Sequence, residues 1–559
     1  MDKRFIIAVV LAIGVVYLTP KFFPPARPPV AAADSSAAKR TAPAGDTARG
    51  VADSSAAAVS AAPKPATRAA TVAPAMRADT ASVSMPLATY RFSSVGASLI
   101  GVSLQEYFVL PGRARHVELA RPGAPLLAYR AIRTGGDTLD LSRAAFIADP
   151  APANEVSYHA ALGSAMMRVR YTFVADSYLV RVSGVLTSGD SARMRLALVL
   201  PQGLASSEAD TLDDQRHLAY VTKRAGEEAE SSPFSNIVKK GPIAQAGPFD
   251  WVASKDKYFL LAVLGPEKGD LSGPAVFTAP ATEAKVPSTA NGEVVLTPDA
   301  QGRFAFEIYT GPQQWRRLVA VGRGLEHANP YGGFARGLIQ PISTWVMDVL
   351  LWMHTAFKLN YGWVLIIFGI VVRVLLWPLN QSAMRSSLRM QRIQPELTAL
   401  QQKYSKDAVR MQEEYTKLLK SHDMTPFSQF AGCLPMLIPM PVLFAVFFVL
   451  QNTIEFRGVP FLWLADISLR DPYFILPIVM GLSMFVLSWV GLRNSPPNPQ
   501  AKMMGYLMPG MMVALFLNFP AGLNLYYAVQ NVAALPQQWM IAKERAKGTA
   551  GDAGGPARK

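Results

Sequence analysis

Arg373 stands inside the run IIFGIVVRVLLWPL, seven residues after Ile366 and six before Leu379. A fixed positive charge at the centre of a bilayer costs about 2.5–3.5 kcal/mol on insertion scales, so such a residue needs a use. Far downstream, Asn524, Tyr527 and Asn531 recur at i, i+3 and i+7, which places them on one side of a helix. Tyr526, Gln530 and Gln538 lie close by, so an otherwise apolar segment carries a hydrophilic face. Two readings of Arg373 stand. Its stem can snorkel, carrying the guanidinium to the inner headgroups about six residues, or roughly 9 Å, away. Alternatively it faces a wet cavity within a helix bundle. The amides taken alone are equally explained by hydrogen bonds between helices. Charge and polar face together favour a water-accessible groove.

Little else in the 559 residues could do chemistry. One cysteine, Cys433, excludes an internal disulfide and a thiolate metal cage. The six histidines are scattered without ligand spacing, and no phosphate-binding loop, Gly-x-Ser-x-Gly elbow, zinc motif or convincing pair of catalytic carboxylates is found. The expectation is a protein that is not an enzyme and needs no cofactor or metal. A net charge of +15 suits nucleic acid or an anionic membrane surface. Several apolar runs of about 20 residues decide for the membrane, with no recognition of specific nucleic-acid sequences.

These residues require a polytopic α-helical membrane protein joined to a periplasmic all-β sandwich domain. Residues 1–23 carry Lys3 and Arg4 ahead of an apolar run from Phe5 to Leu18, a transmembrane anchor or a cleaved signal peptide. No small-x-small site borders the run, which favours the anchor. Residues 24–85 are rich in Ala, Pro and Ser and read as a disordered linker. Over 86–322 the pattern has period two: Met167, Val169, Tyr171 and Phe173 alternate with Arg168, Arg170 and Thr172, as expected of a β-sandwich. Residues 323–358 read as an interfacial amphipathic helix, with Phe334, Leu338, Ile342, Trp345, Val349 and Trp352 as its apolar stripe. The region 359–542 holds five spans, at about 362–379, 430–451, 473–492, 504–519 and 521–540, making six transmembrane helices with the anchor. Between the first two lies a helical hairpin, 381–421, with Met384, Leu388, Ile393, Leu397 and Leu400 facing Val409, Met411, Tyr415 and Leu418. Its basic residues, with Lys543, Arg545 and Lys547 in the tail 543–559, put hairpin and C-terminus in the cytoplasm, hence N-in and C-in.

From about Tyr331 to Ala542 the sequence resembles the YidC/Oxa/Alb family of membrane-protein insertases, and the full layout resembles the bacterial branch of that family. The resemblance is carried by YGGF from Tyr331, Val372-Arg373 with Trp377-Pro378-Leu379, MQRIQPE from Met390, GCLP from Gly432, DPYFILP from Asp471 and FPAGLNLYY from Phe519 to Tyr527. The β-rich region matches more loosely, through YTGP from Tyr309 and KYF from Lys257. Thr425-Pro426 stands where Asn-Pro is usual, Pro439 where Gln is common, and Gly369 replaces a usual Thr, removing a hydroxyl from the expected groove wall.

The resemblance implies a five-helix insertase core whose hydrophilic groove opens to cytoplasm and lipid and is closed toward the periplasm. Arg373, Gly369, Asn524, Tyr526, Tyr527, Gln530 and Asn531 would form its substrate-binding face. The arginine would attract the polar, often acidic segment of a nascent inner-membrane protein, while the client's apolar helix partitions into lipid without ATP hydrolysis. The hairpin would recruit or gate clients. Nascent membrane proteins and the lipid bilayer are the implied partners, with the Sec translocon, the ribosome and the signal-recognition-particle receptor as candidates. The resemblance further implies the bacterial inner membrane and a chaperone role. A secondary transporter or channel using Arg373 as an anion site is the main alternative, though no internal repeat supports it. An envelope enzyme acting on carbohydrate through its β-domain is a second.

Overall fold

The computed structural model describes residues 79–552, apart from 134–136, 189–193, 267–270, 330–335, 382–392, 394, 395, 398, 401, 405, 406, 423–439 and 494–498. The expected anchor, most of the linker, and the YGGF, MQRIQPE and GCLP motifs lie wholly or largely outside the described residues, as do Thr425, Pro426 and Pro439.

Alternation of apolar and polar residues builds three antiparallel sheets of four, nine and six strands. Along Ala165–Phe173 the side chains of Met167, Val169, Tyr171 and Phe173 are buried while Arg168 and Arg170 are exposed, as the period-two pattern expects. This strand pairs with Leu179–Ser188, which pairs in turn with Arg303–Pro312. Rings join the sheets face to face. Tyr220 of the nine-stranded sheet stacks on Phe277 of the six-stranded one, centroids 4.8 Å apart, and Tyr129 and Tyr171 share a buried hydroxyl bond of 2.6 Å. The domain is therefore a β-sandwich. Its first strand is Thr80–Ser84, paired with Ala88–Ser93, so it begins ahead of residue 86. The stretch TASVS is short and Ser-rich and reads as linker; the neighbouring strand, not its own pattern, recruits it.

Three short helices decorate the sandwich: α1 (Thr211–Arg216), α2 (Phe234–Lys240) and α3 (Trp315–Val321). Helices of the second part follow as α4 (Arg336–Phe357), α5 (Tyr361–Leu375), α6 (Ala408–Ser421), α7 (Met440–Asn452), α8 (Ile475–Leu492), α9 (Pro499–Phe516) and α10 (Ala521–Asp552). Helix α4 is apolar on two sides. Val346, Met347, Leu350 and Met353 are buried in one cluster with Ala445, Val446 and Val449 of α7. Trp345 and Trp352, from the expected stripe, point outward instead. Ile342 and Val349 of the same stripe pack against that cluster, so the stripe straddles the border between the packed side and the outward one. The described helix starts at Arg336, later than residue 323.

A bend of 120° at 358–360 separates α4 from α5. Asn360 caps α5, its side-chain oxygen accepting from the Gly362 amide at 2.9 Å. Among the described residues α8 alone is both long and apolar enough to cross a membrane; the bent α4–α5 pair passes only jointly, and α7 and Gly505–Phe516 are shorter apolar helices. The span expected at 430–451 begins outside the described residues. That expected at 504–519 stops at Phe516, and α10 runs on through Asp552, absorbing the start of the expected tail. In the hairpin, Ile393, Leu397 and Leu419 are buried together with Tyr415 and Leu418 packed against them. Val409 is 71% exposed, a correction that the 100° step explains: it lies about 200° from Met411, whereas Leu419 lies one turn past Tyr415.

Candidate functional site

The expected residues converge on the seam between α5 and α10, but not all of them. Gly369 faces α10 so closely that a Cβ there would stand 3.1 Å from Val529 Cγ1 and 3.5 Å from Tyr526 Cδ2. That approach lets Gln530 Nε2 donate to the Gly369 carbonyl at 2.9 Å and to the Tyr526 hydroxyl at 3.1 Å. One turn on, Arg373 Nη2 donates to Gln537 Oε1 at 2.9 Å. The Gln537 amide in turn donates to the Trp377 carbonyl at 3.1 Å and to Gln381 Oε1 at 3.2 Å.

Gln537 is the Arg373 partner that sequence reasoning missed. It is fully buried and follows Gln530 by seven residues, so it shares that residue's side of α10. Gln538, the expected neighbour, is rotated by 100° and lies against Gly491 of α8, where an added Cβ would meet its amide. The two expected asparagines also leave the Arg373 group. Asn531 donates to Ser483 Oγ at 3.1 Å and to the Met480 carbonyl at 3.4 Å on α8, and Asn524 donates to the Phe516 carbonyl at 3.2 Å. Tyr527 packs its ring on Phe516 at 5.6 Å. Asn524, Tyr527 and Asn531 thus bond and pack neighbouring helices. Tyr526, Gln530 and Gln537 form the polar edge beside Arg373.

Arg373 is an arginine with five N–H donors and, among the described residues, no carboxylate pairs with it. Its Nε is buried and bonded to nothing. On α5 the neighbours Ile370, Val371, Val374 and Leu375 all point outward. An unneutralised guanidinium at the border of an amide-lined seam and an apolar outer face can take an anionic group arriving from that side. No group of His, Cys, Asp or Glu among the described residues could hold a metal.

The other end of the bundle is fixed by the segment 453–474 between α7 and α8. Arg457 is buried in the β-sandwich, donating to Glu208 at 2.7 Å and to the carbonyls of Phe108 at 2.9 Å and Ser207 at 3.2 Å, with its guanidinium over the Phe259 ring. Arg113 donates to the Gly458 carbonyl. Burial holds the Glu208 carboxyl above its ordinary range, and the Arg457 charge and hydrogen bond oppose that rise. At the helix ends, the Ala521 amide donates to Leu469 O at 2.7 Å, the Gly522 amide to Ile467 O at 2.9 Å, and Asn360 Nδ2 to Pro460 O at 2.9 Å.

A β-sandwich bonded to apolar helices, one of them long and apolar enough to cross a membrane, is the architecture of a membrane protein with a large water-facing domain. Comparison with known proteins gives the family. A sequence profile described as "60Kd inner membrane protein" matches residues 352–548, and one described as "YidC periplasmic domain" matches 80–345. The chain is 30% identical over 558 residues to the membrane protein insertase YidC of Geobacter metallireducens, covering 97% of this chain and 98% of that one. It is 31% identical to that of Geobacter sp. strain M21 over 67% of each. A crystal structure of an active YidC insertase with its first transmembrane domain resolved aligns at 17% identity and TM-score 0.35, over 83% of this chain and 93% of the other. The chain belongs to the YidC family of membrane protein insertases, inner-membrane proteins with a periplasmic domain; the family is not one of enzymes.

Proposed function

We propose that this chain inserts nascent inner-membrane proteins into the bilayer, with the α5–α10 seam as the receiving surface. Six transmembrane helices, counting the N-terminal anchor, place both termini and the hairpin in the cytoplasm and the β-sandwich in the periplasm. The observation that carries the reading is the unpaired positive charge of Arg373, set between amides and an outward apolar face. An acidic, outside-bound client segment would meet the guanidinium in a polar setting that lowers its desolvation cost. The client's own apolar helix would partition into lipid along α5 at about 25 cal/mol per Å² of apolar surface, which makes ATP unnecessary. The hairpin 381–421 recruits or gates clients, and the basic residues of the C-terminal tail suit contact with ribosomes or the signal-recognition-particle receptor. A Sec translocon is a further partner for large clients.

The test is insertion kinetics in proteoliposomes for two clients that differ only by two acidic residues in the translocated tail. Arg373→Lys should keep most activity. Arg373→Ala should slow the acidic-tailed client and spare the neutral one. Equal rates for wild type and Arg373→Ala on both clients would show that the charge does not receive substrate.

A further inference from the structure

The segment joining α7 to α8 carries two bulky apolar residues in the left-handed backbone region, Leu462 at φ 53° and Phe474 at φ 57°. Such angles favour glycine, and a large side chain keeps them only where surrounding structure imposes them. Both residues are exposed, Leu462 by 69% and Phe474 by 40%, and each has an exposed aromatic neighbour, Trp463 and Tyr473. These are two strained apolar tips on one loop, with no charged residue in 459–464 or 473–476.

Neither tip is loose. Phe461 and Leu464 exchange two backbone hydrogen bonds of 2.9 Å, closing a two-residue turn with Leu462 at its first position. Phe461 is seated in a notch that Gly362 leaves open at the start of α5, since a Cβ there would collide with its ring. The second tip is shaped by Asp471, which is fully buried. Its Oδ1 accepts from the Tyr473 amide at 3.0 Å and its Oδ2 from the Leu476 amide at 2.7 Å, fixing the entry into α8. The same Oδ1 accepts from the Trp463 indole at 3.2 Å, so one carboxylate ties both tips together.

We propose that this loop is a rigid two-pronged lipid anchor. Leu462–Trp463 and Tyr473–Phe474 enter the outer leaflet, and Asp471 is the positioning residue that holds the prongs in register. Lipid is the occupant because the patch continues without a break into Ile475, Ile478, Val479 and Leu482, the outward side of the helix apolar enough to span alone. Exposed Trp363, which meets Phe461 edge to face at 5.5 Å, extends it sideways onto α5. Tryptophan and tyrosine at the ends of spanning helices favour the headgroup level. Fixing the loop in the leaflet would fix the outer ends of α5, one wall of the seam, and of α8, which bonds the opposite side of α10.

The inference rests on the proposed orientation, so the experiment reports the two separately. In a Cys433→Ser background, single nitroxides are placed at 462, 474, 231 and 410 of the full chain in phosphatidylethanolamine–phosphatidylglycerol liposomes. Collision with oxygen and with a water-soluble nickel chelate added outside is then compared. Labels at 462 and 474 should favour oxygen several-fold over the label at 231 in the β-sandwich. Nickel access at 462 equal to that at 231 would overturn the anchor. Shielding of 462 only while an arrested client chain is present would also overturn it, by making the tip a client contact. Nickel access at 410 from outside would refute the orientation instead. Asp471→Ala should raise label mobility at both 462 and 474. Should that variant fail to fold, Asp471→Asn, which keeps one acceptor oxygen, should loosen one tip more than the other, and unchanged mobility at both would refute the shared clip.

Discussion

Replacing Arg457 by alanine tests whether the β-sandwich is bonded to the helical part or only tethered to it. Arg457 and Glu208 are 5% and 6% exposed at 2.7 Å, so solvent screens the pair little. Removing one partner of a buried pair typically costs about 3–5 kcal/mol, because the survivor stays charged without compensation. The carbonyls of Phe108 and Ser207 lose a donor as well. A domain of this size shifts by about 2–4 °C per kcal/mol, so Arg457→Ala should lower the melting temperature of the full chain in detergent by roughly 6–20 °C at neutral pH. The sign of the pH dependence follows from Glu208. Its folded-state carboxyl already sits above the ordinary range because of burial, and losing Arg457 takes away the two largest opposing influences. The folded variant therefore binds a proton more tightly than the unfolded chain, and its stability falls as pH rises through the raised value. The deficit should be smaller near about pH 5 than near about pH 8. Glu208→Gln in the Arg457→Ala background should recover much of the loss at the higher pH. An unchanged melting temperature, or an equal loss at both pH values with no recovery from Gln, would refute the argument.

Glu455, in the same loop, gives a second pH dependence: burial raises its carboxyl to about 7. The contribution of its proton is present at acidic pH and lost as pH rises through that value, so Glu455→Gln should be more stable than wild type above about pH 7 in thermal unfolding. On α10, Asn531→Leu should cost about 0.6–2 kcal/mol in detergent stability and leave client insertion rates intact, since it bonds α8. Gln537→Leu should do the reverse, slowing the acidic-tailed client, because it alone among the described residues holds Arg373. Equal effects of the two substitutions on insertion would undo the division of α10 into a packing side and a receiving side.

What the sequence revealed, and what it hid, divides by the range of the interaction. Period-two alternation located Met167 to Phe173 as a half-buried strand because strand faces repeat every two residues whatever lies across them. Arg373 was legible because a charge among apolar neighbours needs no partner to be conspicuous. Partners were harder. Helical spacing grouped Asn524, Tyr527 and Asn531 correctly on one side, but that side faces α8 and α9, and spacing cannot say which helix a side meets. Gln537 was overlooked in favour of Gln538 although seven-residue counting from Gln530 reaches it. The stripe on α4 was split for a related reason: Ile342 and Val349 pack inward while Trp345 and Trp352 point outward, and periodicity does not rank two apolar sides. The bonds of Arg457 join residues 249 to 349 positions apart in the chain and left no local signal at all.

The two ends of the seam are held by different kinds of bond, and this bears on where it can open. At the Asn360 end the segment between α7 and α8 gives backbone carbonyls to the first amides of α10 and to the Asn360 cap of α5, and is itself held to the sandwich by its own Arg457 and by Arg113 from the sandwich. Orphan amides at helix starts are costly to strand, so these contacts resist separation strongly. Toward the Arg373 end, α5 and α10 are joined through the amides of Gln530 and Gln537, which can exchange their partners for water or for a polar chain at little net cost. Separation of the two helices is therefore easier from the Arg373 end than from the Asn360 end. A client segment entering there would replace amide bonds one at a time, with the guanidinium as its first fixed charge. The contacts at the Asn360 end would remain closed until the client's apolar helix had left sideways into lipid.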